Sequence, residues 1–152
     1  MAESALKQQI TEAMKDAMRA RDKVRLGTIR LALAEIKKIE VDERIDPDDT
    51  RVTGILDKMI KQRRESVKQY EAGNRQDLAD IETAEIVVLQ EFMPQALSAD
   101  DLKAIISKAL AESGATSIQD MSKVMAAVRP AVIGRADMAA VSQIIKQQLS
   151  GN

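Results

Sequence analysis

Apolar residues recur every three or four positions along most of this chain and alternate strictly for no more than a few residues, so the pattern predicts helices rather than strands. Seven helical segments are expected. In the first, Leu6, Ile10, Met14 and Ala17/Met18 share one stripe. The second runs from about 23 to 41, with Leu26, Ile29, Leu33 and Ile36 at alternating three- and four-residue steps. Val24, Thr28 and Leu31 face another way, so this helix is expected to be covered on two sides. The third gathers Val52, Leu56, Met59, Ile60, Arg63, Val67 and Tyr70 in one band, and the fourth gathers Leu78, Ile81, Ile86, Leu89 and Phe92.

Turn and capping residues punctuate these stripes. Asp46 is placed to cap the third helix, with Pro47 at its first position and Asp49 complementing its dipole. Gly73 is read as a left-handed stop, and Asn74 as the cap of the fourth helix. After Pro94, Ser98 with Asp101 resembles a capping box opening a fifth helix over Leu102, Ile105, Ile106, Ala109 and Leu110, closed by Gly114. Thr116 or Ser117 caps a sixth, whose stripe of Ile118, Met121, Val124, Met125 and Val128 ends before Pro130. Gly134 marks a turn, and Asp137 caps a seventh with Met138, Val141, Ile144, Ile145 and Leu149. The expected fold is all-α: a helical N-terminal domain over 1–93 and a small three-helix tail domain over 94–152.

Composition narrows the chemistry. The 152 residues include no His, Cys or Trp, one Tyr and one Phe. The commonest general base, the thiolate nucleophile and the best stacking surface are therefore missing together. A chain of this size can still bury roughly 68–70% of its unfolded surface. With no cysteine there is no disulfide, which suits a reducing compartment. The start MAESALKQQ does not read as a signal peptide, and Ile86 to Leu89 falls far short of the ~18 apolar residues a membrane span needs. A cytoplasmic location is expected, with no membrane partner.

Net charge is −1, so any nucleic-acid surface must be a local patch. Residues 1–92 hold 17 Lys+Arg against 19 Asp+Glu, and residues 93–152 hold 6 against 5. Two basic groups stand out. In the tail, Lys123, Arg129, Arg135 and Lys146 accompany the turns at Pro130 and Gly134. Arg135 is the strongest phosphate candidate, because a guanidinium binds phosphate in a bidentate fork; it serves equally well as a structural residue. On the third helix, Lys58, Lys61, Arg64 and Lys68 recur at steps of three and four and form a secondary basic face, diluted by Asp57 and Glu65. A solvated helix face with a Lys61–Glu65 pair explains that group at least as well as a phosphate track.

Other motifs resolve into ordinary roles. The six glycines are scattered and form no phosphate-binding loop. Ser4 and Lys7 have the SxxK spacing of some acyltransferases, but at a helix start capping is the better account. The acids Glu40, Asp42, Glu43, Asp46, Asp48 and Asp49 are the best candidates for an oxygen-ligand metal site, yet EF-hand spacing is absent. A solvated loop with acids at a helix N-terminus accounts for all of them, so neither metal nor cofactor is expected. Tyr70 and Phe92 lie on apolar stripes, and Met121, Met125 and Met138 read as core filler. Without aromatic platforms, any RNA would be recognised by shape and phosphates rather than by stacked bases.

Three stretches carry a resemblance: RLGTIRLALAEIKKIEVDER, DKMIKQRRESVKQYEAGNRQDLADIETAEIVVLQEFMPQALSADDL and SKVMAAVRPAVIGRADMAAVSQIIKQQL. Together they resemble the YqeY family, whose C-terminal part is similar to the tail of GatB, a component of the glutamyl/aspartyl-tRNA amidotransferase. The resemblance implies a helical domain followed by a helical tail, a cytoplasmic bacterial protein, and contact with tRNA through the tail. It implies no catalysis, since the amidotransferase keeps its reaction centres elsewhere; a carbon–nitrogen ligase label here would be inherited through the tail. Three functions are thus carried forward: a non-catalytic tRNA-binding accessory protein, a helical protein–protein adaptor working through the N-terminal domain, and, least favoured, an amidotransferase-like enzyme. No small-molecule substrate is identified.

Overall fold

The computed structural model describes residues 4–150. Among these, seven α-helices and one short 3-10 turn make up the regular structure and there is no strand, so the fold is all-α. The chain divides into two compact units between Met93 and Pro94.

The first unit consists of α1 (Ala5–Ala20), α2 (Lys23–Glu43), α3 (Asp49–Ala72) and α4 (Gln76–Gln90). Their inward stripes converge on one core in which Ile10, Ile29, Ile36, Val52, Leu56 and Leu89 are fully buried. Each such side chain contributes roughly 1.5–3 kcal/mol relative to an exposed one. Leu6, Met14, Leu26 and Phe92 pack around the rim of this core. Tyr70 is only half-buried.

The N-terminus of α1 is fastened to that of α3. The Ser4 hydroxyl accepts the Lys7 N–H at 3.2 Å, capping α1, and donates to the Asp49 carboxylate, which also accepts the Leu6 N–H at 3.1 Å. These donors, Ser4 first, hold the Asp49 carboxyl below the usual aspartate range. Arg63 on α3 reaches Glu85 on α4 at 2.7 Å with both side chains mostly covered, so the one cation within the apolar band of α3 is neutralised where it sits.

Several boundaries depart from the sequence reading. The third helix is capped by Asp48, not Asp46, and Pro47 is buried ahead of the first turn. The Asp48 carboxylate takes the Arg51 N–H at 2.8 Å, a bond available only if the helix begins two residues later than Pro47 suggests. After α3, Gly73 has φ −90° and the left-handed residue is Asn74, φ 58°. Asparagine tolerates that conformation, and the chain is held by the Arg75 N–H on the Tyr70 carbonyl at 2.8 Å; Arg75, not Asn74, precedes α4, without a side-chain cap.

The second unit holds α5 (Ala99–Ser113), the 3-10 turn Ile118–Asp120, α6 (Met121–Val132) and α7 (Met138–Leu149). Ile106, Val124, Val128, Val132, Val141 and Ile145 form its core, with Met121, Met125 and Met138 packed partly buried around it. Ser98 caps α5, Gly114 ends it at φ 68°, Gly134 turns at φ 72° and Asp137 caps α7. Pro130 does not end the sixth helix: α6 continues to Val132. Proline sacrifices one hydrogen bond in the last turn, while the extra turn buries Val132 completely on the stripe begun by Val124 and Val128.

Candidate nucleic-acid interface

The four tail cations occupy different places on one helical hairpin. Lys123 and Arg129 lie on α6, six residues and therefore about 9 Å of rise and 120° apart, flanking its solvent face. Lys146 lies in the last turn of α7, which runs back along α6 and touches the 3-10 turn preceding it. Arg129 lies in the last turn of α6, six residues before Arg135 in the turn that follows. No hydrogen bond or shared carboxylate links any two of the four among the described residues.

Arg135 is built into the turn. Its Nε donates to the Gln95 carbonyl at 2.9 Å, its own carbonyl accepts the Leu97 N–H at 2.9 Å, and its N–H reaches the Val132 carbonyl at 2.9 Å. One residue therefore fastens the segment after Pro94 to the α6–α7 turn. The sequence left Arg135 open between phosphate contact and structure; the geometry gives it a structural task. No sequence signal could have shown this, because the partner is a backbone carbonyl 40 residues away.

Lys123 stands beside a carboxylate. Asp120 accepts the Thr116 and Ser117 N–H groups at 3.0 and 3.4 Å, and these bonds, with Lys123 nearby as a lesser contribution, hold its carboxyl below the ordinary range. Arg129 and Lys146 are exposed and make no ion pair among the described residues, each in the last turn of its helix, where a cation also complements the dipole.

The secondary group is more coherent. Lys58, Lys61, Arg64 and Lys68 all lie on the face of α3 turned away from Val52, Leu56, Met59 and Ile60, and all are exposed. Ten residues separate the first from the last, about 15 Å of helix. Lys61 pairs with Asp57 at 3.0 Å, so the partner is the acid on the preceding turn rather than Glu65. Among the described residues Lys58, Arg64 and Lys68 make no ion pair; they spread over about 120° of the exposed side of α3, with Glu65 on the same side.

The acidic stretch is dispersed among capping and pairing. Glu40 meets Lys7 and Lys37, Glu43 meets Arg51, Asp48 caps α3 and Asp49 receives α1. Among the described residues no group of three or more acids is placed to hold a metal ion.

The profile of the family described as Yqey-like protein, YqeY, matches residues 7–149. The chain belongs to the YqeY family. This YqeY-like chain is 37% identical over 81 residues to a protein of Vanderwaltozyma polyspora named "Altered inheritance of mitochondria protein 41, mitochondrial", covering 53% of the chain and 44% of that protein. It is 33% identical over 102 residues to the protein of the same name in Lachancea thermotolerans, covering 65% and 54%. An uncharacterised protein of Schizosaccharomyces pombe is 30% identical over 86 residues, covering 57% of the chain and 70% of that protein. The chain spans about half the length of the first two relatives. They correct one expectation: the family is not confined to bacteria, since these relatives are yeast proteins, two of them named as mitochondrial. No helix among the described residues is long and apolar enough to cross a membrane.

Proposed function

We propose that this YqeY-like protein is a non-catalytic accessory protein that contacts folded tRNA through phosphates and shape. The observation that carries the reading is the outer face of α3, where Lys58, Arg64 and Lys68 stand exposed without carboxylate partners among the described residues. Arg129 and Lys146, equally uncompensated, supply the tail's share, and the resemblance of the tail to that of the amidotransferase component points to tRNA as the polyanion. The scarcity of aromatic residues argues for backbone contacts, whose strength falls steeply with salt. The reading needs only an aqueous compartment containing tRNA, which the cytoplasm and the mitochondrion both provide.

Filter binding of purified protein to bulk tRNA across a salt series tests it. Expected are measurable affinity at low salt and its loss in a variant carrying Lys58→Glu, Arg64→Glu and Lys68→Glu, with a smaller loss for Arg129→Ala plus Lys146→Ala. Absence of binding at low salt, or indifference to both sets, overturns it. An adaptor without an RNA role would instead recover protein partners that persist after RNase treatment. Glutamine-dependent amide transfer by the purified chain alone would overturn the non-catalytic assignment.

A further inference from the structure

We propose that the groove between α2 and α4 is a self-association surface that receives a second copy of this chain. The sequence placed Val24, Thr28 and Leu31 on a second apolar side of α2 expected to be covered. Thr28 is buried, but the apolar side chains on either side of it are left open: Val24 is 63% and Leu31 47% exposed, and Ile81 across the groove is 56% exposed. Val24, Gly27 and Leu31 form one wall at steps of three and four, Ile81 and Ala84 form the other, and the space between is about 590 Å³. Gly27 sits in the second turn of α2, where glycine is unfavourable, and a side-chain carbon built on it would meet nothing within 4 Å. With Ala84 opposite, it leaves room for another helix to approach closely. The one polar floor residue, Thr28, spends its hydroxyl on the Val24 carbonyl at 3.1 Å, so the groove makes no polar demand on its occupant.

Charge selects the occupant. The α2 wall carries Lys23, which has no ion pair among the described residues; the α4 wall carries Asp80 and Glu85. Glu85 is engaged by Arg63, whereas among the described residues Asp80 makes no ion pair and accepts a hydrogen bond from Gln76 of its own helix. A two-fold axis running along the groove lays each copy's α2 wall over the other's α4 wall. The basic edge then meets the acidic edge twice, and Val24, Gly27 and Leu31 meet Ile81 and Ala84 twice. A groove with one basic and one acidic wall is thus complementary to itself.

Sedimentation equilibrium of the purified chain from micromolar to near-millimolar concentration reads this out. The expected result is a mass rising from 16.7 kDa toward twice that value. Gly27→Glu, which the monomer accommodates in open space, should keep helix content and thermal stability while weakening association at least about tenfold; Leu31→Asp should do the same. Lys23→Glu should weaken association, and adding Asp80→Lys should restore it, a rescue that only self-pairing of these walls predicts. A chain that stays monomeric throughout, or a dimer indifferent to Gly27→Glu and Leu31→Asp, overturns the proposal. A dimer that these two weaken but the charge swap does not restore overturns the two-fold pairing. None of these readouts involves RNA, so they stand or fall apart from tRNA binding.

Discussion

Single residues hold the joints of this molecule, and two of them set measurable quantities. The Asp49 carboxylate receives the Ser4 hydroxyl and the Leu6 N–H, and its pKa is lowered accordingly. A carboxyl whose folded pKa lies below its unfolded value adds stability above the unfolded pKa, near ~3.9, and loses it as pH falls through the folded one. Asp49→Asn should therefore lower the melting temperature at pH 7, and the gap from the parent should close as pH drops below about 4. A gap of the same size in strong acid would show that the carboxylate charge is irrelevant. Ser4→Ala removes both the cap of α1 and the donor to Asp49 and should cost about 1 kcal/mol in denaturant unfolding. Arg135 is the second such residue. Arg135→Ala deletes the bond to the Gln95 carbonyl and should destabilise the second unit by about 1 kcal/mol, measured the same way. A fall in RNA affinity in that variant would report on the fold of the turn as much as on a phosphate contact, which is why Arg129 and Lys146 are the cleaner probes.

The helices themselves were legible where one force decided them. Stripes such as Val124, Val128 with Val132, or Ile29 with Ile36, are buried because period and burial agree. What sequence misplaced were the joints between helices. Pro47 and Pro130 both read as boundaries, yet one lies ahead of its helix and the other within it, because a capping carboxylate and a buriable valine outweighed proline's local preference. The basic face of α3 was legible from spacing alone, but the identity of the partner of Lys61 was not, since Asp57 and Glu65 are equally spaced around it. Gly27 shows a local cost left standing inside a helix. Because a side-chain carbon there meets open space, Gly27→Ala should raise the unfolding free energy by up to about 1 kcal/mol under conditions where the chain is monomeric. No gain, or a loss, would mean that the backbone at Gly27 is strained in a way its helical position conceals.

At the scale of the whole molecule, a formal charge of −1 and a proposed polyanion partner look contradictory until charge is read by face. Much of the basic charge is spent within the fold: Lys7, Arg25, Arg51, Lys61 and Arg63 all meet carboxylates. Lys58, Arg64, Lys68, Arg129 and Lys146 meet none among the described residues, and they set how RNA binding should respond to salt. If three or four of these displace counterions from RNA, the logarithm of the association constant should fall against the logarithm of salt with a slope of about −2 to −4. Reversing Lys58, Arg64 and Lys68 to Glu should flatten that slope by about 2 or more, because each lost phosphate contact removes close to one unit. Those three side chains pair with no acid among the described residues and bury no core, but the reversal sets like charges one turn apart at 64 and 68 beside Glu65, so that variant should keep its helix content and lose about 0.5–1 kcal/mol of unfolding free energy. A steep slope that survives the triple reversal would place the phosphate contacts elsewhere on the molecule. A flat slope in the parent would mean that binding, if observed, is not electrostatic, and with so few aromatic side chains available no stacking surface could stand in its place.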